Sequence, residues 1–166
     1  MKKTIITTLL IILGLIGLIW WGSKSQNSVE STIVKSGEKS SLLALETVYD
    51  FGTISMKDGD VTKDFTVTNN TDKDIFIPRL VTSCMCTNAL IVREDGTTNG
   101  PFGMEGMGYV PPANETIAAG KSITVRAIYD PNAHGPAGVG IIDRFITLTD
   151  QSGSDLQLEI KAVVTP

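Results

Sequence analysis

The sequence predicts an all-β protein, an antiparallel sandwich of about seven or eight strands, preceded by one N-terminal transmembrane helix. Short runs rich in Thr, Val and Ile recur along the chain after residue 40, and polar or glycine-containing turns separate them. No convincing amphipathic helical pattern interrupts these runs. The separate N-terminal helix is predicted by an uncharged stretch from Thr4 to Gly22.

This uncharged stretch follows Lys2 and Lys3 and ends in two tryptophans. As a helix rising about 1.5 Å per residue, it reaches roughly 28 Å, close to the hydrocarbon thickness of a bilayer. Tryptophan suits the membrane–water interface, and no small-residue cleavage pattern follows. We therefore expect residues 1–22 to be an uncleaved signal-anchor of a single-pass cell-membrane protein; a cleaved signal peptide is the alternative. The lysines favour an inside N-terminus and an extracytoplasmic domain.

Residues 23–40 are rich in Ser, Lys, Gln, Asn and Glu, a composition typical of a flexible stalk. Beyond residue 23 the chain keeps 12 Lys and Arg, the 14 of the whole chain without Lys2 and Lys3, against 18 Asp and Glu. The resulting net charge of −6, with no basic cluster, argues against nucleic acid as a partner.

The sandwich is expected to occupy residues 41–166, with its strands in the order of the apolar and β-branched runs. Pro78 divides one run into two, and the last two runs are joined by the polar turn 150–155. The segment 93–116 is a long insertion with several Gly and Pro, which is either a functional loop or a disordered one. The expected strands lie at 43–54, 61–68, 75–77, 80–87, 89–92, 122–129, 141–149 and 156–164.

Three segments carry a family resemblance: YDFGTI at 49–54, FTVTN at 65–69 and TSCMCT at 82–87. Together with the strand at 123–125 that leads to Asp130 and Pro131, they resemble the bacterial family called domain of unknown function 1573. The resemblance covers roughly residues 45–164, and its most specific part is the S-C-x-C-T segment. It implies an immunoglobulin-like fold that mediates interactions and brings no catalytic residues. Met85 stands where many members have Gly.

Cys84 and Cys86 are the only cysteines, and three interpretations of them stay open. A disulfide would close a loop of about three residues and stabilise the fold by only about 1.6 kcal/mol. Because alternate Cα atoms of a strand lie roughly 6.5 to 7 Å apart, the backbone would have to bend to form it. Alternatively, the two cysteines are reduced and pack as small apolar side chains.

The third interpretation is a metal site. Two thiolates form a pair of soft ligands that favours Cu(I). Further ligands are available from Met85, Met104, Met107 and His134. A structural zinc site needs four ligands, which makes zinc less suitable. Methionines more often fill gaps in a core, and a lone loop histidine is usually solvated.

The sequence contains no catalytic constellation: one histidine without a G-x-S-x-G elbow gives no hydrolase triad. We therefore predict a non-enzymatic, membrane-anchored binding or scaffold module, with no cofactor and with another envelope protein or polymer as its partner. The alternative is an extracytoplasmic copper-binding or thiol-redox protein that uses Cys84 and Cys86.

Overall fold

A computed structural model of the chain describes residues 40–166, which form strands and short 3₁₀ turns. The predicted anchor, 1–22, and the stalk up to residue 39 lie outside the described residues. None of the helices within residues 40–166 is long and apolar enough to cross a membrane. The strands are β1 (Leu42–Ala44), β2 (Val48–Ser55), β3 (Val61–Asn69), β4 (Ile75–Ile77), β5 (Arg79–Thr82), β6 (Thr87–Val92), β7 (Thr98–Phe102), β8 (Glu115–Ile117), β9 (Ser122–Tyr129), β10 (Gly140–Thr149) and β11 (Asp155–Thr165).

These strands form two main sheets and one small one. The five-stranded sheet has the order β1-β3-β9-β6-β7, the four-stranded sheet has the order β2-β11-β10-β5, and β4 pairs with β8. Both main sheets contribute side chains to one hydrophobic core. The all-β prediction and the sandwich architecture are thereby confirmed.

Period-two alternation places the core side chains. In β9 every second residue is buried, from Ile123 to Tyr129, and in β11 the same holds from Leu156 to Val164. Burial of one large apolar side chain stabilises the fold by roughly 1.5 to 3 kcal/mol. In each of the two strands, one face therefore packs into the core between the sheets, and the other, mostly polar face points towards solvent.

The strand count and one pairing differ from the prediction. Eleven strands occur within residues 40–166 instead of seven or eight. β7 and β8 lie in or next to the segment 93–116, where no strand was expected, and a turn interrupts the expected strand 80–87 between β5 and β6. The pairing of β2 with β11 is parallel, whereas the sequence predicted an antiparallel sandwich. Since β1 pairs with β3 and β2 pairs with β11, the chain crosses from one sheet to the other between Ala44 and Val48.

The insertion 93–116 is ordered. It contains β7 and the start of β8, and Arg93 Nη2 lies 2.6 Å from Glu115 Oε2. Asn99 donates to the carbonyl oxygen of Ala113 at 2.7 Å and to the Glu115 carboxylate at 3.1 Å. Burial would raise the pKa of Glu115, but the hydrogen bonds from Arg93 and Asn99 outweigh it and lower that pKa. Of the two alternatives for this segment, a functional loop and a disordered loop, these contacts fit only an ordered one.

Candidate functional site

The cysteine pair lies in a tight turn between β5 and β6. The Thr87 amide donates to the Cys84 carbonyl at 3.1 Å, and the buried Thr82 hydroxyl lies 3.1 Å from the same carbonyl and 2.8 Å from that of Thr87. This turn brings the Cα atoms of Cys84 and Cys86 to 5.2 Å, and a disulfide joins the two residues. The backbone thus makes the bend that a disulfide between alternate residues requires.

His134 reaches this turn from the loop between β9 and β10. Its Nε2 lies 3.2 Å from Cys84 Sγ. The start of the loop is tied to the turn because the Asp130 amide donates to the Cys86 carbonyl at 2.9 Å. Gly135, with φ +56°, turns the chain immediately after the histidine. One donor atom each from Cys84, Cys86 and His134 lies within 4.8 Å of the other two.

Arg144 on β10 approaches the second sulfur. Its Nε lies 3.2 Å from Cys86 Sγ, and its Nη1 donates to the Asp143 carbonyl at 2.9 Å. Two hydrogen bonds of 2.9 Å between Ser83 and Phe145 hold β10 against the cysteine turn. Arg144 was not among the residues predicted for the site, because it lies 58 residues from Cys86 in a strand whose pattern carries no sign of the contact.

The two cysteines differ in solvent exposure. Cys86 is 2% exposed and belongs to the hydrophobic core, whereas Cys84 is only partly buried and packs at the edge of that core. The buried Tyr129 lies beside Thr87 in the neighbouring strand, and burial raises the pKa of its phenol. Cys84 is therefore the more accessible end of the disulfide, and Cys86 is the sheltered end.

The three predicted methionine ligands are grouped elsewhere. Met85, Met104 and Met107 are exposed and line a groove of about 220 Å³ that has neither cysteine in its lining. Of the residues predicted for a metal site, the structure thus brings Cys84, Cys86 and His134 together and places the methionines on the adjacent surface. The other residues that line the groove are Asn88, Pro101, Gly103, Gly108, Tyr109 and Val110.

Fold and site together define an immunoglobulin-like β-sandwich that carries a disulfide in an interstrand turn. A family described as "Protein of unknown function (DUF1573)" matches residues 42–99, which include that turn. The match supports the resemblance inferred from the sequence and brings no assigned activity. No curated protein matches the sequence.

Among solved structures, a protein of unknown function from Porphyromonas gingivalis W83 is similar with a TM-score of 0.54 and 13% identity. The match covers 82% of this chain and 51% of that one, so the chain spans about half the length of that protein. The likeness shows a shared fold.

Two further structures are more distant. The PapD-like domain 7 of human CEP192 has a TM-score of 0.47 and 14% identity, over 81% of this chain and 94% of that chain. The periplasmic chaperone SfaE has a TM-score of 0.39 and 16% identity, over 75% and 57% respectively. At this level of similarity neither structure bears on function.

Proposed function

We propose that this protein is a membrane-anchored, extracytoplasmic binding module that exchanges thiols and disulfides with its partner, and that its functional site is the disulfide pair Cys84 and Cys86. The apolar stretch at residues 4–22 supports the membrane anchor. One observation carries the assignment of the site: each sulfur lies 3.2 Å from a side-chain nitrogen, Cys84 Sγ from His134 and Cys86 Sγ from Arg144. A neighbouring cation stabilises a thiolate and lowers the pKa of its thiol, which makes a cysteine pair reactive.

Stability alone is a weak reason for this disulfide. A loop of three residues gives a chain-entropy contribution of only about 1.6 kcal/mol. Buried apolar side chains from both sheets form the core, to which the pair contributes only Cys86 and, at its edge, Cys84. A disulfide that contributes little to folding but has polar nitrogens at both sulfurs fits exchange chemistry better than a structural role.

The unequal exposure of the two cysteines determines which of their sulfurs a partner thiolate attacks first. A thiolate of the partner attacks the Sγ of Cys84, the less buried of the two residues, the Cys84–Cys86 bond breaks, and Cys86 leaves as a thiolate beside Arg144. The second thiolate of the same partner molecule then attacks the partner's own sulfur in the mixed disulfide and releases Cys84. Two electrons pass to this protein, the partner becomes a disulfide, and the two protons of the partner dithiol end on Cys84 and Cys86.

The interpretation as a scaffold without redox chemistry is favoured by a different feature. β2 lies at an edge of the four-stranded sheet and pairs there with β11. An eight-residue edge strand is able to accept an added strand from another envelope protein. The two interpretations are compatible, since one partner is able to bind at the edge while exchanging electrons at the cysteine turn.

A redox titration of the full-length protein in detergent micelles tests the proposal. The protein is equilibrated with dithiothreitol at increasing ratios of reduced to oxidised form, and its free thiols are counted by alkylation and mass spectrometry. Arg144→Gln is expected to need a higher proportion of reduced dithiothreitol, because the Cys86 thiolate loses its neighbouring cation. Arg126→Gln, which removes an exposed ion pair with Asp64 on the other sheet, is the matched control.

Two results would contradict the proposal. One is a disulfide that is reduced only when the domain unfolds, as followed by circular dichroism in the same samples. The other is an Arg144→Gln midpoint equal to those of the wild type and of Arg126→Gln.

A further inference from the structure

We propose that the reduced form of this site binds Cu(I) through Cys84, Cys86 and His134. The inference deepens the proposed function and rests on it to the extent that the disulfide has to be reduced before its sulfurs act as ligands. The observation behind it is that the three donor atoms all lie within 4.8 Å of one another. Two ligands that share one ion at bonds of about 2.3 Å are at most about 4.6 Å apart. The imidazole nitrogen is therefore at a distance from both sulfurs that a common metal ion allows, whereas the bonded sulfurs have to move apart after reduction.

The arrangement of the three residues preorganises this site. The Cys84 carbonyl accepts from the Thr87 amide, and the Cys86 carbonyl accepts from the Asp130 amide, at 3.1 and 2.9 Å. The second bond also ties the loop that carries His134 to the cysteine turn. When the bond between the sulfurs breaks, the backbone stays held, and the sulfurs need only separate to a distance at which both contact one ion.

The chemistry of the donors selects the metal. Two thiolates and one imidazole are soft or intermediate ligands, and three of them suit Cu(I). A closed zinc site normally has four protein ligands. Within residues 40–166, no other His, Cys, Asp or Glu joins this cluster.

Arg144 fits the charge of the resulting complex. Two thiolates and one Cu(I) carry a net charge of −1, and the guanidinium lies 3.2 Å from Cys86 Sγ. A positive group hydrogen-bonded to a ligating sulfur balances that charge and orients the ligand. The same residue thus stabilises the free Cys86 thiolate in the exchange reaction and the bound thiolate in the metal complex.

The test is a Cu(I) titration of the full-length protein in micelles, without oxygen, after reduction by a phosphine that contains no thiol. A colorimetric Cu(I) chelator serves as competitor. The expected result is one Cu(I) per chain, no binding to the untreated disulfide form, and loss of binding in Cys84→Ser/Cys86→Ser. His134→Ala is expected to weaken the affinity at least about tenfold.

The methionine groove supplies the matched control. Met104→Leu/Met107→Leu removes two thioethers from the adjacent groove and leaves the three proposed ligands in place. This variant is expected to bind Cu(I) as the wild type does. Binding that survives the double cysteine substitution, or that disappears in the double methionine variant, would overturn the assignment. So would displacement of the Cu(I) by a tenfold excess of Zn²⁺. Circular dichroism shows whether each variant is folded.

The experiments distinguish a failure of the Cu(I) site from a failure of the exchange function. A disulfide that exchanges with dithiothreitol in a protein that binds no Cu(I) contradicts the metal site alone. The opposite result contradicts the exchange function alone. In that case dithiothreitol does not reduce the disulfide of the folded protein, but the protein binds Cu(I) after reduction by the phosphine.

Discussion

His134 Nε2 lies 3.2 Å from Cys84 Sγ although the two residues are 50 positions apart in the chain. The contact joins the turn between β5 and β6 to the loop from β9 to β10, and both segments connect the two main sheets. It turns a pair of cysteines with little structural value into a cluster of two sulfurs and one imidazole. The chemistry proposed above depends on this relationship.

Cys84 is expected to react faster than Cys86 in the reduced protein. Cys84 is partly buried, whereas Cys86 is 2% exposed and lies in the core. Limited treatment with iodoacetamide, followed by peptide mass spectrometry, measures the two rates separately. The same treatment in 6 M guanidinium is the control, and there the preference should vanish. Equal rates in the folded protein would contradict the proposed point of attack.

Thr82→Val is expected to destabilise the domain by about 1 to 3 kcal/mol, because it leaves the buried carbonyl groups of the cysteine turn without their hydroxyl partner. The Thr82 hydroxyl lies 2.8 Å from the Thr87 carbonyl. Urea unfolding measures the change. Thr66→Val, the same substitution on the exposed face of β3, should change stability by less than about 0.5 kcal/mol.

Asn69→Ala is expected to cost more than about 2 kcal/mol of stability, since it leaves several buried groups unpaired. The fully buried Asn69 amide donates to the carbonyls of Lys73 and Ile117 at 2.7 and 2.8 Å, and its oxygen accepts from Thr71. Urea unfolding again provides the measurement. The neighbouring exposed Asn70, changed to Ala, is the control, and equal losses for the two variants would refute the argument.

Stability is expected to fall in acid, in part through Asp150. Burial would raise its pKa, but hydrogen bonds from Ser152, Ser40 and the backbone outweigh burial and lower the pKa below 3.8. A carboxylate with a lowered pKa in the folded state stabilises the fold above its unfolded-state pKa, and that contribution is lost as the pH falls through the folded-state value. The loss due to Asp150 should therefore begin near pH 4 and continue below it.

The variant Asp150→Asn isolates this contribution. It is expected to be less stable than the wild type at pH 6 and to lose less stability between pH 6 and pH 3, as measured by urea unfolding. Asp72→Asn, on an exposed turn, is the control for the substitution itself. An unchanged pH dependence in Asp150→Asn would contradict the role assigned to the Ser40 and Ser152 hydrogen bonds.

Local patterns predicted several elements well. The expected strand 122–129 is the observed β9, and Pro78 separates β4 from β5 because proline has no amide proton for the ladder. The polar turn after Thr149 closes the hairpin of β10 and β11, with the Asp150 amide donating to the Ser154 carbonyl at 2.9 Å. In these places the side-chain period and the turn residues are properties of neighbouring residues.

The candidate site was predictable only in part. Cys84, Cys86 and His134 stood out by residue type, and the required bend between the cysteines followed from strand geometry. Arg144 was missed, and the three methionines line a neighbouring groove that has neither cysteine in its lining. Residue type indicates which side chains are able to act as ligands, but the pairing of distant strands decides which of them meet.

The sequence alone therefore determined the all-β class, the alternation that builds the core and the position of the cysteine pair, whose chemistry it left open. These features depend on side-chain period and residue type over a few positions. The tertiary structure decided the parallel pairing of β2 with β11 and the meeting of Cys84, Cys86, His134 and Arg144. Both arise from strand pairings and loop contacts between segments more than 45 residues apart, for which a single sequence carries no local signal.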